Sequence, residues 1–245
     1  MKKILFILMF SVTTMACGDL GQVLSTTGDI LNSTGAGGLT NKDAASGIKQ
    51  ALEFGVLNGT KFLGKRDGFL GNAAYQILMP KEIREFETKI RNNPVANALA
   101  GSYLTKVKTS MNRGAENAMA QAKPIFVNAI RSMTITDAVR IVTGRDGGAT
   151  NFLQRATLSQ LTAKFNPVIG KSLKSVGIVK PWGQVSQAYN MVANQKVNTD
   201  ITAYVTERAT AGLFKKIREE EHDIRANPAA RTTDLLKRVF ANAGQ

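Results

Sequence analysis

Along most of this chain apolar residues recur at intervals of three and four. Between Val107 and Ala122 they fall at Val107, Met111, Ala115, Ala118, Met119 and Ala122, the 3.6-residue period of an amphipathic helix. Sustained two-residue alternation bounded by hairpin turns is absent, so strands are not expected. Prolines punctuate the pattern. Asn93-Pro94, Asn166-Pro167 and Asn227-Pro228 repeat one device, an Asn that caps a helix and a Pro in its first position. The second of them could instead kink a longer helix, and Pro124 and Pro181 mark further boundaries. The pattern predicts helices near 43–63, 81–92, 94–122, 124–133, 136–143, 149–165, 168–176, 182–195, 197–225 and 228–242. The fold class is all-α, a single domain of roughly eight to ten helices over residues 43–245.

Three of these helices show more than a simple stripe. Over 43–63, Ile48, Leu52, Gly55, Val56, Gly59 and Phe62 share one face while Phe54 and Leu57 lie opposite, which predicts a central helix. Gly55 and Gly59 each cost about 1 kcal/mol relative to Ala, so a second backbone is expected close against them. Glu53, Asn58 and Lys61 exclude a membrane dimerisation segment. Over 197–225, Ile201, Tyr204, Val205 and Ala209 share a face, and Leu213, Phe214, Ile217 and Ile224 share another about half a turn away. The switch falls at Gly212 and predicts either a kink or two halves with different neighbours. From Asn227 onward, Leu235, Leu236, Val239 and Phe240 form a stripe whose burial makes the C-terminus an integral element.

The N-terminus breaks the helical pattern. Lys2 and Lys3 precede the apolar run Ile4–Phe10, and small or polar residues lead to Ala16-Cys17. Ile4 to Cys17 is 14 residues, short of the roughly 20 a membrane span needs, and reads as an export signal over residues 1–16. Thr14-Met15-Ala16-Cys17 resembles a bacterial lipobox, although an aliphatic residue is usual where Thr14 stands. That resemblance implies that Cys17, the only cysteine, is diacylated and becomes the mature N-terminus. Residues 17–42 then read as a Gly/Ser/Thr-rich tether that lets the folded body stand off a bilayer. The expected address is the cell envelope of an exported protein, lipid-anchored to a bacterial membrane, with the outer membrane favoured.

Charge narrows the partners. The chain carries 32 Lys and Arg against 18 Asp and Glu, a net charge of +14 that falls to +12 when residues 1–16 take two lysines with them. The basic residues are spread, with small groups at Lys61/Lys65/Arg66, Lys106/Lys108/Arg113 and Lys215/Lys216/Arg218. Nucleic-acid binding calls for a concentrated basic face with interleaved aromatics, and aromatics are 7% here, so no nucleic-acid partner is expected. An anionic envelope component such as phospholipid, lipopolysaccharide or another acidic polymer suits the charge better. The oligomeric state is not readable.

Candidate chemistry is sparse. One Cys and one His leave no intramolecular disulfide, no Cys-rich zinc site and no site needing two imidazoles; neither metal nor cofactor is expected. No Ser/His/Asp or Cys/His arrangement stands out and no catalytic residue is assigned. Gly64–Gly71 is glycine-rich and basic but lacks the Gly-Lys-Ser/Thr ending and the preceding strand of a phosphate loop. Its Arg66-Asp67-Gly68 has an echo at Arg145-Asp146-Gly147, and both are read first as turns. The functional alternative is that the two turns converge on one anionic ligand.

Asn112, Arg113 and Glu116 sit on the most regular helix, and are read as an edge amide beside a solvated i,i+3 ion pair. His222, between Glu219-Glu220-Glu221 and Asp223, is read as an exposed residue in a setting that favours its protonated form. Arg231 and Asp234 are read as a surface pair, with the sharper alternative that Arg231 reaches Asp67 or Asp146 and fixes that loop. Glu116, Asp137, Asp146 and Asp234 are the carboxylates available to an enzyme, with Arg113 or Arg231 as partners.

Five segments in order carry a family resemblance: Asp67–Leu70, Ser110–Arg113, Ala122–Phe126, Met133–Ala138 and Asn227–Lys237. Together they resemble the domain-of-unknown-function family 4197, exported helical proteins of Gram-negative bacteria, over about residues 43–241. Gly114 departs from a helix-favouring residue after Asn112-Arg113. The resemblance implies a helical fold and an envelope compartment but no established activity, so it lends no site residue. Two functions remain open: a non-enzymatic, lipid-anchored binding or scaffolding module for an anionic or amphiphilic envelope partner, and an envelope enzyme acting on an anionic substrate.

Overall fold

A computed structural model describes residues 40–192 and 194–241. The chain divides after Asn41 into two units, the second of which, Lys42–Gln245, is the helical body. The expected export signal, Cys17 and nearly all of the expected tether lie outside the described residues. The helices are α1 Asn41–Gly64, α2 Lys81–Asn92, α3 Pro94–Ala118, α4 Ala122–Arg131, α5 Ile135–Thr143, α6 Gly148–Ser175, α7 Val179–Val192, α8 Ile201–Ala226 and α9 Asp234–Val239. Single 3-10 turns occur at Met119–Gln121 and Pro228–Ala230, and no strand occurs among the described residues. The fold is all-α.

The three Asn-Pro steps have three different outcomes. At Asn93-Pro94 the Asn side chain accepts from the Ala96 N–H and Pro94 opens α3, as the pattern predicts. Asn166-Pro167 is no boundary, because α6 continues through it as one helix. Pro167 deprives α6 of one backbone donor, and the burial of Leu161, Phe165, Ile169 and Leu173 on its core face outweighs that loss. At Asn227-Pro228 the Asn caps a single 3-10 turn, and the helix proper starts later, capped by Thr233 accepting from the Leu236 N–H. Pro124 and Pro181 fall inside first turns, where no backbone donor is needed, so α4 and α7 begin earlier than predicted. Helix α8 begins at Ile201 instead of 197, because Asp200 caps it through the Thr202 and Ala203 N–H groups.

Helix α6 is the centre, with α3, α4 and α8 packed around it. Where α3 meets α6, a Cβ on Gly114 would lie 3.1 Å from Ser172 Cβ and 3.3 Å from the Ile169 Cα. The Gly114 departure is therefore a condition of close helix approach. On the α4 side the rings of Phe126 and Phe214 meet edge to face at 5.9 Å.

Helix α1 corrects the expectation of a central helix. Ile48, Leu52, Val56 and Leu63 are buried, whereas Phe54 and Leu57 are exposed, so it covers the body from one side. Gly55 meets only the Glu220 side chain of α8, at 3.5 Å from the position of a Cβ, whereas at Gly59 the Ile217 side chain lies at 3.5 Å and the Ile217 backbone N at 3.9 Å, so a second backbone comes into ordinary contact at one of the two. The tight contact is at Gly47, where a Cβ would meet Val239 Cγ2 at 2.6 Å.

Helix α8 passes through Gly212 as one helix. Thr202 and Thr206 on its first half meet Gly170 and Asn166 of α6, while Ile217 and Glu220 on its second half meet α1. At the switch, a Cβ on residue 212 would lie 3.0 Å from the ring of Phe69. Gly212 leaves room for a side chain from the segment between α1 and α2.

Candidate functional site

That segment, residues 65–80, has no regular structure of its own, and α3 supplies what it lacks. Glu116 is buried; its Oε1 accepts from the Phe69 N–H at 3.1 Å and the Leu70 N–H at 3.0 Å, and its Oε2 accepts from Arg113 Nη1 at 2.5 Å. Arg113 Nη2 donates to Asp67 Oδ1 at 2.7 Å, holding the turn in which Asp67 adopts φ 66°, a left-handed conformation that Asp tolerates. One turn back, fully buried Asn112 accepts from the Ile77 N–H at 2.8 Å and donates to the Ile77 and Lys108 carbonyls at 2.9 and 2.8 Å. The predicted solvated pair and edge amide are thus a buried clamp on the segment.

The second Arg-Asp-Gly turn is held by the same device. Glu221 of α8 is buried; its Oε1 accepts from the Ala149 N–H at 3.1 Å and its Oε2 from the Thr150 N–H at 2.8 Å, capping α6. Arg225 Nε donates to Glu221 at 3.1 Å and lies 3.9 Å from Asp146 Oδ1. In both places a buried Glu takes two backbone N–H groups just beyond the turn, and an Arg one helical turn away joins that Glu to the Asp of the turn. Among the described hydrogen bonds and ion pairs the two turns share no partner, and each is held by its own clamp.

The other candidates are also engaged. Asp137 forms the capping box of α5 with Thr134, and the Thr134 hydroxyl holds its carboxyl below the usual carboxylate range. Arg231 is buried and donates to the Ile224 carbonyl at 3.0 Å and the Arg225 carbonyl at 2.7 Å, closing the C-terminal end of α8. It reaches neither Asp67 nor Asp146, because those carbonyls are nearer along its own chain. Asp234 pairs with Lys237 at 3.1 Å on open surface, and Arg66 is exposed and makes no ion pair among the described residues. His222 is exposed as expected, with Nδ1 2.7 Å from Asp146 Oδ2, and that contact raises its pKa. Its partner is Asp146, more than the acids beside it in sequence.

What the clamped segment builds is a groove. Residues 74–84 form one wall and α8 the other, around about 370 Å³. Lys81, Arg84, Arg208 and Lys215 line it together with Tyr75 and Tyr204, and no Asp or Glu is among its lining residues. Lys81, Arg84 and Arg208 make no ion pair among the described residues, and Lys215 is held by Glu219 at 3.1 Å. The aromatic walls are fixed. Tyr204 donates to the Leu78 carbonyl at 3.0 Å under the Arg208 guanidinium, 5.3 Å from its ring. Tyr75 donates to Glu219, and burial, followed by that carboxylate, pushes its phenol well above the usual range. Lys215 stands over the Tyr75 ring at 4.4 Å. A larger groove, about 610 Å³ between α6, α7 and the start of α8, is less basic, with Lys171, Lys174 and the α8 cap Asp200. Glu116, Asp137, Asp146 and Asp234 line neither groove.

A family profile described as protein of unknown function (DUF4197) matches residues 38–241. The chain belongs to this family. No curated protein and no solved structure matches it. The match spans α1 to α9, so both clamps and the groove lie in the part of the chain that defines the family. No helix of the described residues is long and apolar enough to cross a membrane.

Several of these residues escape a sequence reading. Glu221 looks like part of an acidic run, yet it falls four residues after buried Ile217 and three before buried Ile224, on the core face of α8. That register is the available signal. Tyr204, Arg208, Ala211 and Lys215 follow at helical spacing on one face, also readable as a unit. Lys81 and Arg84 give no such signal, since only the fold brings the start of α2 across the groove from α8.

Proposed function

We propose that this family member is an exported, lipid-anchored cell-envelope module that binds an anionic or amphiphilic envelope component, without catalysis, in the groove between residues 74–84 and α8. What supports this most is the groove's charge. Four cations and two aromatic rings line one concavity without a carboxylate among them. Lys215 is held by Glu219, but Lys81, Arg84 and Arg208 have no ion pair among the described residues; such unpaired cations drawn together attract a counter-charge, and ring faces beside them suit the apolar part of an amphiphile. The export signal, the Cys17 lipobox and the excess of positive charge agree with an anionic membrane environment. The binding reading is preferred to the enzyme alternative because the four carboxylates that alternative offers line neither groove.

The test uses short-chain phosphatidylglycerol as the probe and the exposed pair Arg84→Glu/Arg208→Glu as the variant. Affinity is expected to drop at least about tenfold, as two reversed charges at this range imply, and to fall with salt as the Debye length shrinks to about 8 Å. Lys171→Glu/Lys174→Glu in the other groove serves as the control. Equal losses in the two variants would show general surface attraction and remove the site.

A further inference from the structure

The hairpin of α2 and α3 carries a second surface. Helix α2 lies against α3, and none of its described side chains is buried. From Pro94 to Lys106 of α3, Gly101 alone is buried, so this half stands away from the core that begins at Val107. Three of its apolar residues, Val95, Leu99 and Tyr103, on one line at i, i+4 and i+8, are 70%, 81% and 39% exposed, and Phe86 of α2 is 62% exposed. Such a line of bare apolar side chains along one helix marks a contact surface. From Pro94 to Lys108, α3 carries Lys106 and Lys108 and no Asp or Glu, while α2 carries Lys81, Arg84, Lys89 and Arg91 against Glu82, Glu85 and Glu87, with Arg91 held by Glu87 at 2.9 Å.

We infer that the exposed half of α3 docks on an anionic lipid bilayer, with Val95, Leu99 and Tyr103 entering the headgroup region and Lys89, Lys106 and Lys108 on lipid phosphates. The combination of a narrow apolar stripe, an aromatic at its edge and a basic border is that of an interfacial helix. Long basic side chains lay their stems along the apolar surface while their heads stay at the phosphates. A second copy of the chain fits worse, since this half of α3 offers no acid to meet Lys106 and Lys108. The surface is distinct from the groove and stands or falls independently of it.

The full chain with Cys17→Ser, whose only thiol is then the one introduced, is labelled with a polarity-sensitive dye at Leu99→Cys or, as the control, at exposed Gln160→Cys on α6. Vesicles are phosphatidylcholine alone or with phosphatidylglycerol. On anionic vesicles the Leu99 dye is expected to shift to the blue and to be quenched by lipids brominated in the acyl chain, while the Gln160 dye stays in water. Lys89→Glu/Lys106→Glu/Lys108→Glu should abolish the shift with helical content unchanged. A Leu99 dye that stays in water on anionic vesicles overturns the inference. So does an equal shift on neutral vesicles, which removes the anionic surface, or a vesicle-free shift that grows with protein concentration, which assigns the stripe to a second copy.

Discussion

Two glutamates determine how the irregular parts of this molecule hold their shape. Glu116 has three donors, two of them backbone N–H groups of residues 69 and 70 and the third Arg113. Removing it orphans those N–H groups and frees Arg113, which we expect to cost about 3 kcal/mol in Glu116→Ala by denaturant unfolding. Faster amide exchange at residues 67–77 should accompany it; unchanged exchange there would show that the segment holds itself. The i,i+3 pairing of Arg113 with Glu116 was legible in the sequence, but its burial was not. The N–H groups that fill Glu116 lie 46 and 47 residues away, beyond any local pattern. His222 was legible as exposed and favoured in its charged form, though the cause, Asp146, lies 76 residues off. Because the folded pKa is raised above the ordinary value of about 6.5, the pair stabilises fully below that value. Its contribution is lost as pH rises through the folded pKa. Asp146→Asn should return the imidazole titration, followed by NMR, toward the ordinary value, and an unmoved titration would exclude Asp146 as the cause.

Element by element, periodicity located nearly every helix and misplaced several ends. It failed where a proline's meaning depends on what surrounds it. Pro167 looks like Pro94 in sequence, but it lies in a helix whose long buried face keeps it continuous. The pattern also overstated α1, since exposed Phe54 and Leu57 cannot be told from core residues by spacing alone. At the C-terminus the stripe was right and the helix was too long. Leu236, Val239 and Phe240 are buried although α9 is only Asp234–Val239, and the Arg225 guanidinium lies 5.7 Å from the Phe240 ring. Phe240→Ala should cost about 3–5 kcal/mol in thermal or denaturant unfolding. A loss below about 1 kcal/mol would make α9 an appendage.

At the scale of the whole molecule, composition gave the sign of the charge and the fold gave its place. A net charge of +14 predicts attraction to any anionic surface, whereas the groove predicts attraction at one address. That address could not be read from the sequence, because Lys81 and Arg84 are more than a hundred residues from Arg208 and Lys215. The clamp at Asn112 and Glu116 fixes the 65–80 segment and so shapes the wall that brings these cations together. The most direct measurement is an NMR titration of the amide spectrum with short-chain phosphatidylglycerol below its micellar concentration. The account predicts saturable shifts confined to residues 74–84 and 204–215, lost in Arg84→Glu/Arg208→Glu. Shifts that never saturate and spread over every basic patch would contradict it.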